Sequence, residues 1–396
     1  VDILNQFKEN NISFLTALEH FDEKYILAID YKNKSDREAT PKAVLLIDVE
    51  SNDEENLIVS CNQVIDLVKK YNTEPFLAND SVAQTIFWKD RKNLGAIAKH
   101  TNAFKLNEDV VIPIESLPEF ADYIEQLNIE KELLNNINII EHVSSLLKDI
   151  IKEDEIYNDD SFIKIKAESF LSRIEDIKNN YNKLLLNIGK PVYTLNLPFE
   201  LPNQENSVFE AIREKELSIS IENDVLAHFT STFHGYTDLL DQYYKLISHI
   251  EGRKIIIATH MHAGDGNIHV NIPVHSNDYA MMLEADETAG DIMEKTKELG
   301  GVISGEHGIG LTKLKFIDKI FLQEYGKYKE EHDPDNLFNP GKLDPEFPIY
   351  QVYTPSLNLL KMEAFILEST DLKELTAAIS ACVRCGKCKE VCNTHS

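Results

Sequence analysis

No apolar run in this sequence approaches the roughly 20 residues that a membrane-spanning helix requires, so a helical membrane protein is not expected. The start also lacks the basic, apolar and small-residue order of a secretory signal. Basic charge is scarce: 40 Lys and Arg face 67 Asp and Glu, a net charge of −27. A field of that sign repels nucleic acid and anionic lipid over most of a surface, which argues against a polyanion-binding role. Cysteine is rare and unevenly placed, with Cys61 alone and the other four of five within eleven residues near the C-terminus. A secreted disulfide framework would spread them along the chain. Internal repeats and low-complexity tracts are absent. These absences lead us to expect a body in the cytoplasm, peripheral association with the inner membrane being the membrane contact they leave open. Val1 in place of Met, and a C-terminus at Ser396 inside a cysteine motif, suggest a piece of a longer protein.

With 396 residues the chain can hold two or three domains. Tyr25–Tyr31 and Ala43–Glu50 are apolar or β-branched runs bounded by polar segments and read as buried strands; Asn56–Tyr71 follows as an amphipathic helix. Gly252–His262 and Asn267–Val274 read as two more strands, and Tyr279–Leu299 and Thr312–Glu331 as two more helices. The pattern is α+β. Between the halves, residues 128–250 are mostly helical, with Phe170, Ile174, Ile177, Tyr181 and Leu184 at offsets of three and four. Their scattered charges look like solvated faces, so we assign this insertion no chemistry. Residues 347–370 read as a linker after a proline-punctuated stretch, and residues 371–396 as a separate cysteine-bearing segment.

Nine of the 15 glycines lie between Gly252 and Gly310, in the same window as His260-Met261-His262-Ala263-Gly264-Asp265-Gly266-Asn267-Ile268-His269-Val270-Asn271. A four-residue hairpin loop at 263–266 would pair residue 262 with 267 and 260 with 269. Alternation then sets His260, His262, Asn267, His269 and Asn271 on one face and Met261, Ile268, Val270 and Ile272 on the other. A lone histidine is most often a hydrogen-bonded core residue, but three on one hairpin face suit a zinc-like or other first-row divalent ion. Such a site wants a further, acidic ligand. Gly305-Glu306-His307-Gly308 supplies one: Glu306 completes the shell and His307 takes a substrate proton.

Cys382, Cys385, Cys388 and Cys392 have the C-x2-C-x2-C-x3-C spacing of a bacterial ferredoxin segment, which points to a 4Fe–4S cluster. A zinc knuckle is the plainer reading, yet successive x2 spacings wrap tightly around a cube of iron and sulfide. Asn393 stands where a proline usually follows. In two-cluster ferredoxins the fourth cysteine serves the other cluster, and no second cysteine run is present here.

The HAGDGNIH hairpin, the GGVISGEHGIG loop and Asn339-Pro340-Gly341-Lys342 together resemble the C-terminal domain of FAD-linked oxidases, the family of D-lactate dehydrogenases, glycolate oxidase flavoprotein subunits and D-2-hydroxyglutarate dehydrogenases. The resemblance covers about residues 25–118 and 252–342, and the trailing cysteines look like members fused to a ferredoxin-like region. It implies an antiparallel sheet with packed helices, split into residues 1–127 and 251–346 by the insertion, which most relatives lack. It implies His262, His269 and Glu306 as metal ligands, His307 as the base, Asn271 as a substrate contact and Asn339 as a cofactor contact. His260 has no such role in relatives and becomes a supporting residue. Phe87-Trp88-Lys89-Asp90-Arg91 resembles a Trp-x-x-Arg substrate segment, and Lys105 resembles a lysine upstream of a proline, here Pro113; Arg91 and Lys105 would neutralise a substrate carboxylate.

FAD is implied too, held mainly by an N-terminal domain whose Gly-rich phosphate loops this sequence does not contain. The expected function is oxidation of a D-2-hydroxy acid of the lactate or glycolate class, electrons passing from flavin to the cluster and on to a quinone or a redox protein. A metal-dependent hydrolase is an alternative from the three histidines and the glutamate alone, and a non-catalytic electron-transfer module is another.

Overall fold

The computed structural model of the chain describes residues 5, 9, 14–28, 31, 40–71, 73–92, 104–157, 161–195, 202–275, 278–310 and 313–344. It divides into two compact units, one formed by residues 1–121 with 255–396 and the other by 122–254.

In the first unit five strands among the described residues form one sheet in the order β2-β1-β4-β5-β3. They are β1 (Leu15–Asp22), β2 (Ala43–Val49), β3 (Phe104–Val111), β4 (Ala258–His262) and β5 (Asn267–Val274), and every neighbouring pair is antiparallel. Helix α1 (Glu23–Ala28) follows β1 directly, α2 (Glu54–Lys69) follows β2, and α3 (Ser81–Lys92) precedes β3. After β5 come α9 (Tyr279–Glu298), a 3-10 turn at Leu314–Phe316 and α10 (Lys319–His332). The α+β expectation, an antiparallel sheet with packed helices, therefore holds.

Several boundaries differ from the sequence reading. The strand expected at Tyr25–Tyr31 is instead helix α1, and the strand lies upstream at Leu15–Asp22. The cause is Asp22, whose Oδ1 accepts the Tyr25 backbone N–H at 2.7 Å and starts a helical turn, while Tyr25 and Ile26 still bury their side chains beside Phe21 and Ala258. The strand expected from Gly252 starts only at Ala258. The helix expected over Thr312–Glu331 is split, because Asp318 caps a new start by accepting the Ile320 N–H at 2.7 Å. Strand β3 went unread, since Lys105, Asn107, Glu108 and Asp109 give it a polar composition that mimics a loop.

The second unit is helical. Its elements include α5 (Ser161–Leu185), α6 (Val208–Arg213), α7 (Ala227–Thr232) and α8 (Thr237–Glu251), preceded by α4 (Leu117–Tyr157), which begins in the first unit. Phe170, Ile174, Tyr181 and Leu184 are buried as their spacing predicts, with Ile177 packed at the edge of the same core. Ser207 and Glu210 form a capping box that starts α6, and the Tyr181 hydroxyl donates to Asp224 Oδ2 at 2.5 Å.

Asp22 also accepts the Thr259 backbone N–H and hydroxyl, each at 2.6 Å. Burial pushes its carboxyl up to about 6, against the pull of those hydrogen bonds and of the Lys24 charge. A folded pKa above the unfolded one means that the folded state holds the extra proton, so this contribution is full below about pH 4 and is lost as pH rises through the folded value. Asp22→Asn, which cannot ionise, is expected to gain on the wild type by about 2 kcal/mol between pH 4 and pH 7.5. Parallel thermal-unfolding profiles of the two proteins over that range would refute this.

Candidate metal and active site

The hairpin of β4 and β5 has the register that its loop length predicts, with His262 opposite Asn267 and His260 opposite His269. The loop depends on Gly266, at φ +72°, where a Cβ would lie 2.2 Å from the Ile112 carbonyl oxygen. Its own carbonyl accepts the Ile112 N–H at 2.9 Å, which ties the loop to the end of β3. Cross-strand pairing extends the histidine face on both sides: Glu19 of β1 is opposite His262, and Asp109 of β3 is opposite His269. One sheet face therefore carries Glu19, His262, His260, His269 and Asp109 in adjacent positions.

Glu306 joins this face from the loop after α9. Its Oε1 lies 2.6 Å from His269 Nε2 and 3.5 Å from His262 Nε2. One donor atom from each of His262, His269 and Glu306 falls within 4.8 Å of the others. The two imidazoles meet edge to face, with centroids 5.2 Å apart at 85°. Two imidazole nitrogens and a carboxylate oxygen at these separations suit a divalent ion of zinc type, with a position left for another ligand. Burial, with the neighbouring His307 and His262, pushes the His269 imidazole below its ordinary pKa despite the pull of Glu306 and Asp109; the neutral ring is the form that ligates. His260 is stacked on His269 at 4.5 Å and 10°, and its Nδ1 receives a hydrogen bond from Asn271 Nδ2 at 3.2 Å.

The loop that presents Glu306 is held by a residue the sequence reading missed. Asp109 is fully buried, and its Oδ2 accepts the backbone N–H groups of Gly305, Glu306 and His307 at 2.8, 2.5 and 2.9 Å. Its Oδ1 pairs with the buried Lys313 ammonium, which also donates to the Asp109 carbonyl at 2.9 Å and lies 3.3 Å from Glu108 Oε2. Burial alone would raise the Asp109 carboxyl, but Lys313 and the loop N–H groups outweigh it and hold the group well below the usual carboxylate range. Gly305 lets the loop lie flat on the sheet, since a Cβ there would sit 2.6 Å from Asn267 Oδ1. His307 is thereby set beside the cluster, its ring centroid 5.0 Å from that of His269, half-exposed and with Nδ1 3.8 Å from Asp109 Oδ1.

The remaining expected residues are placed less directly. Asn271 is fully buried, and its amide nitrogen also donates to the carbonyls of Ala258 and His269, each at 3.2 Å. Lys105 lies in β3 opposite Pro273, about 13 Å along the strand from Asp109. Arg91 lies in α3; the side chains of Arg91 and Lys105 are outside the described residues. Phe87 and Trp88 of the same segment line an apolar cleft of about 1140 Å³ with Leu18, Leu45, Ile47 and Met261, whose register puts them on the face opposite the histidines. Asn339 is exposed in the turns after α10, at φ +47°. Cys382, Cys385, Cys388 and Cys392 lie outside the described residues. No helix among the described residues is long and apolar enough to cross a membrane.

The family model for the C-terminal domain of FAD linked oxidases matches residues 1–144 and 224–343, more than half of the chain. The chain belongs to that family. Residues 145–223 fall outside the match, so residues 128–144 and 224–250 of the expected insertion are covered by the family. The glycolate oxidase subunit GlcD of Escherichia coli (strain K12) is 37% identical over 119 residues, 28% of this chain and 24% of that protein. The D-lactate dehydrogenase of Archaeoglobus fulgidus is 37% identical over 92 residues, 22% of this chain and 20% of that protein. The mitochondrial D-2-hydroxyglutarate dehydrogenase of Danio rerio is 30% identical over 131 residues, 29% of this chain and 24% of that protein. These alignments span about a quarter or less of the relatives' own lengths.

Asp109 and Lys313 form a buried pair, so removing either partner strands a charge. Asp109→Ala and Lys313→Met are each expected to cost roughly 3–5 kcal/mol, and the double variant clearly less than the sum of the two. Chemical denaturation of all three variants checks this; strictly additive losses would show that the pair is not coupled.

Proposed function

We propose that this chain supplies the substrate and metal half of the active site of an FAD-linked dehydrogenase that oxidises a D-2-hydroxy acid of the lactate or glycolate class to the 2-oxo acid. The observation that carries this reading is the convergence of His262, His269 and Glu306 with His307 alongside, in a chain of the FAD-linked oxidase family. The names of the three relatives, all acting on 2-hydroxy acids, support the substrate class. Family membership also favours this chemistry over hydrolysis, for which the same donors would serve.

His262, His269 and Glu306 would hold a zinc-like divalent cation, which supplies Lewis acidity toward the hydroxyl and carboxylate oxygens of the substrate. His307, next to the cluster and partly exposed, takes the hydroxyl proton. Asp109 fixes the backbone of His307 and of the two residues before it, which sets where the imidazole starts from. Arg91 and Lys105 would complement the substrate carboxylate, with Asn271 and Asn339 as further contacts to substrate and cofactor. FAD, which a flavin domain would hold, would supply the hydride acceptor. Cys382, Cys385, Cys388 and Cys392 would hold a 4Fe–4S cluster that relays electrons to a quinone or a redox protein. We place the protein in the cytoplasm.

In the flavin-loaded enzyme, His307→Ala is expected to lower kcat for D-2-hydroxy acid oxidation by roughly 10²–10⁴-fold, with a much smaller change in KM. Steady-state assay with an artificial acceptor dye measures it, and near-normal turnover would exclude His307 as the base. Anaerobic reconstitution of the chain with iron and sulfide is expected to leave about four iron atoms per chain and a visible cluster absorbance. Both should vanish in Cys385→Ser; a variant that keeps its iron would reject the cluster assignment.

A further inference from the structure

Glu19 sits in the middle of β1, between Leu46 of β2 and His262 of β4, and is 4% exposed. An apolar or β-branched residue would suit such a strand position, and burying a carboxylate there carries a desolvation cost. What offsets that cost is His262, whose Nδ1–H donates to Glu19 Oε1 at 2.9 Å. The bond fixes which ring nitrogen carries the proton. With Nδ1 protonated, the lone pair of His262 is on Nε2, the atom 3.5 Å from Glu306 Oε1 and grouped with His269. It also fixes the ring plane, and His262 is the more exposed of the two imidazoles, at 24% against 5% for His269. His269 is held by its stack on His260, whereas His262 faces solvent on one side and needs another restraint.

We propose that Glu19 is a positioning residue of the three-donor cluster, holding His262 in the tautomer and orientation that present Nε2 to a divalent cation and thereby setting the cation affinity of the site. The inference rests on the cation reading given under Proposed function. A carboxylate behind a ligating histidine raises the basicity of the ligand as well as aiming it, and losing such a partner typically weakens metal binding by roughly 10–100-fold.

The test is zinc binding to the full chain by competition with a chromophoric chelator, together with the visible absorption of the cobalt(II) form. Glu19→Leu should weaken zinc binding by roughly 10–100-fold and alter the cobalt bands. Glu19→Gln, whose amide oxygen still accepts from Nδ1, should lose less than about tenfold. Thermal unfolding of the metal-free proteins separates packing from positioning, and Glu19→Gln preserves the test where Glu19→Leu folds poorly. Unchanged zinc affinity in Glu19→Leu beside a tightly binding wild type would overturn the role of Glu19 alone. Equal losses in the two variants would also overturn the positioning role, since Glu19→Gln keeps the shape and an acceptor for Nδ1 and must then bind zinc nearly as well as the wild type. A wild-type chain that takes up neither zinc nor cobalt would overturn the cation reading and this inference with it.

Discussion

Asp109 has to be ionised, buried and fully hydrogen-bonded at once before the loop that carries Glu306 and His307 can settle on the sheet. A carboxylate with no exposed surface is tolerable only when its charge is balanced and its lone pairs are occupied. Lys313 does the first, and three consecutive backbone N–H groups do most of the second. Because those N–H groups belong to Gly305, Glu306 and His307, satisfying the carboxylate and placing the two functional side chains are the same event. The partners are about 200 residues apart in sequence, at separations of 196 to 204. The loop has no regular secondary structure of its own and takes its shape from the sheet.

The sheet then divides the labour between its faces. Met261, Ile268, Val270 and Ile272 point to one side and build a core that makes the hairpin rigid. His260, His262 and His269 point to the other, with ring centroids 4.5 Å apart for His260 and His269 and 5.2 Å for His262 and His269. Burial favours the neutral ring at His269, which also stacks on His260. His269 is thus predisposed to act through its lone pair, the ligating form.

The hairpin was legible because alternation and loop length are local properties: a four-residue loop between two apolar-alternating runs leaves one register that buries them. The Gly-rich flank of Glu306 was legible for a related reason, since a backbone that must lie against a sheet needs a missing Cβ. The helical unit followed from its period. Strand β3 and helix α1 were not legible. In β3 two of the polar residues that blur the strand pattern, Glu108 and Asp109, are the ones that hold Lys313 and the loop, so the site's needs blurred the signal that would have located the strand. In α1 a single cap, Asp22, converts an apolar run from strand to helix, and whether such a residue caps or merely precedes a strand is decided by Thr259, over 200 residues away. Lys313 shows nothing in sequence at all, because an exposed and a buried lysine are spelled alike. Glu19 carried a weak signal, a carboxylate between Leu18 and His20 in the middle of a strand that buries Leu18 and Phe21, that a search for buried polar positions would have caught.

One side of the cluster is closed by the sheet and the other is open. His269 is enclosed, whereas the Glu306 side chain is 51% exposed and that of His307 is 35% exposed. A site that only stored a cation would do better with every donor buried, since solvent competes for the ion and screens its charge. The open side leaves the donors of Glu306 and His307 accessible from solvent. On the proposed reading that exposure would serve a purpose, since a flavin held by another domain could reach the substrate only from the side away from the sheet. On that reading the hydroxyl proton would pass to His307 on its anchored loop, and the flavin would approach from the open side.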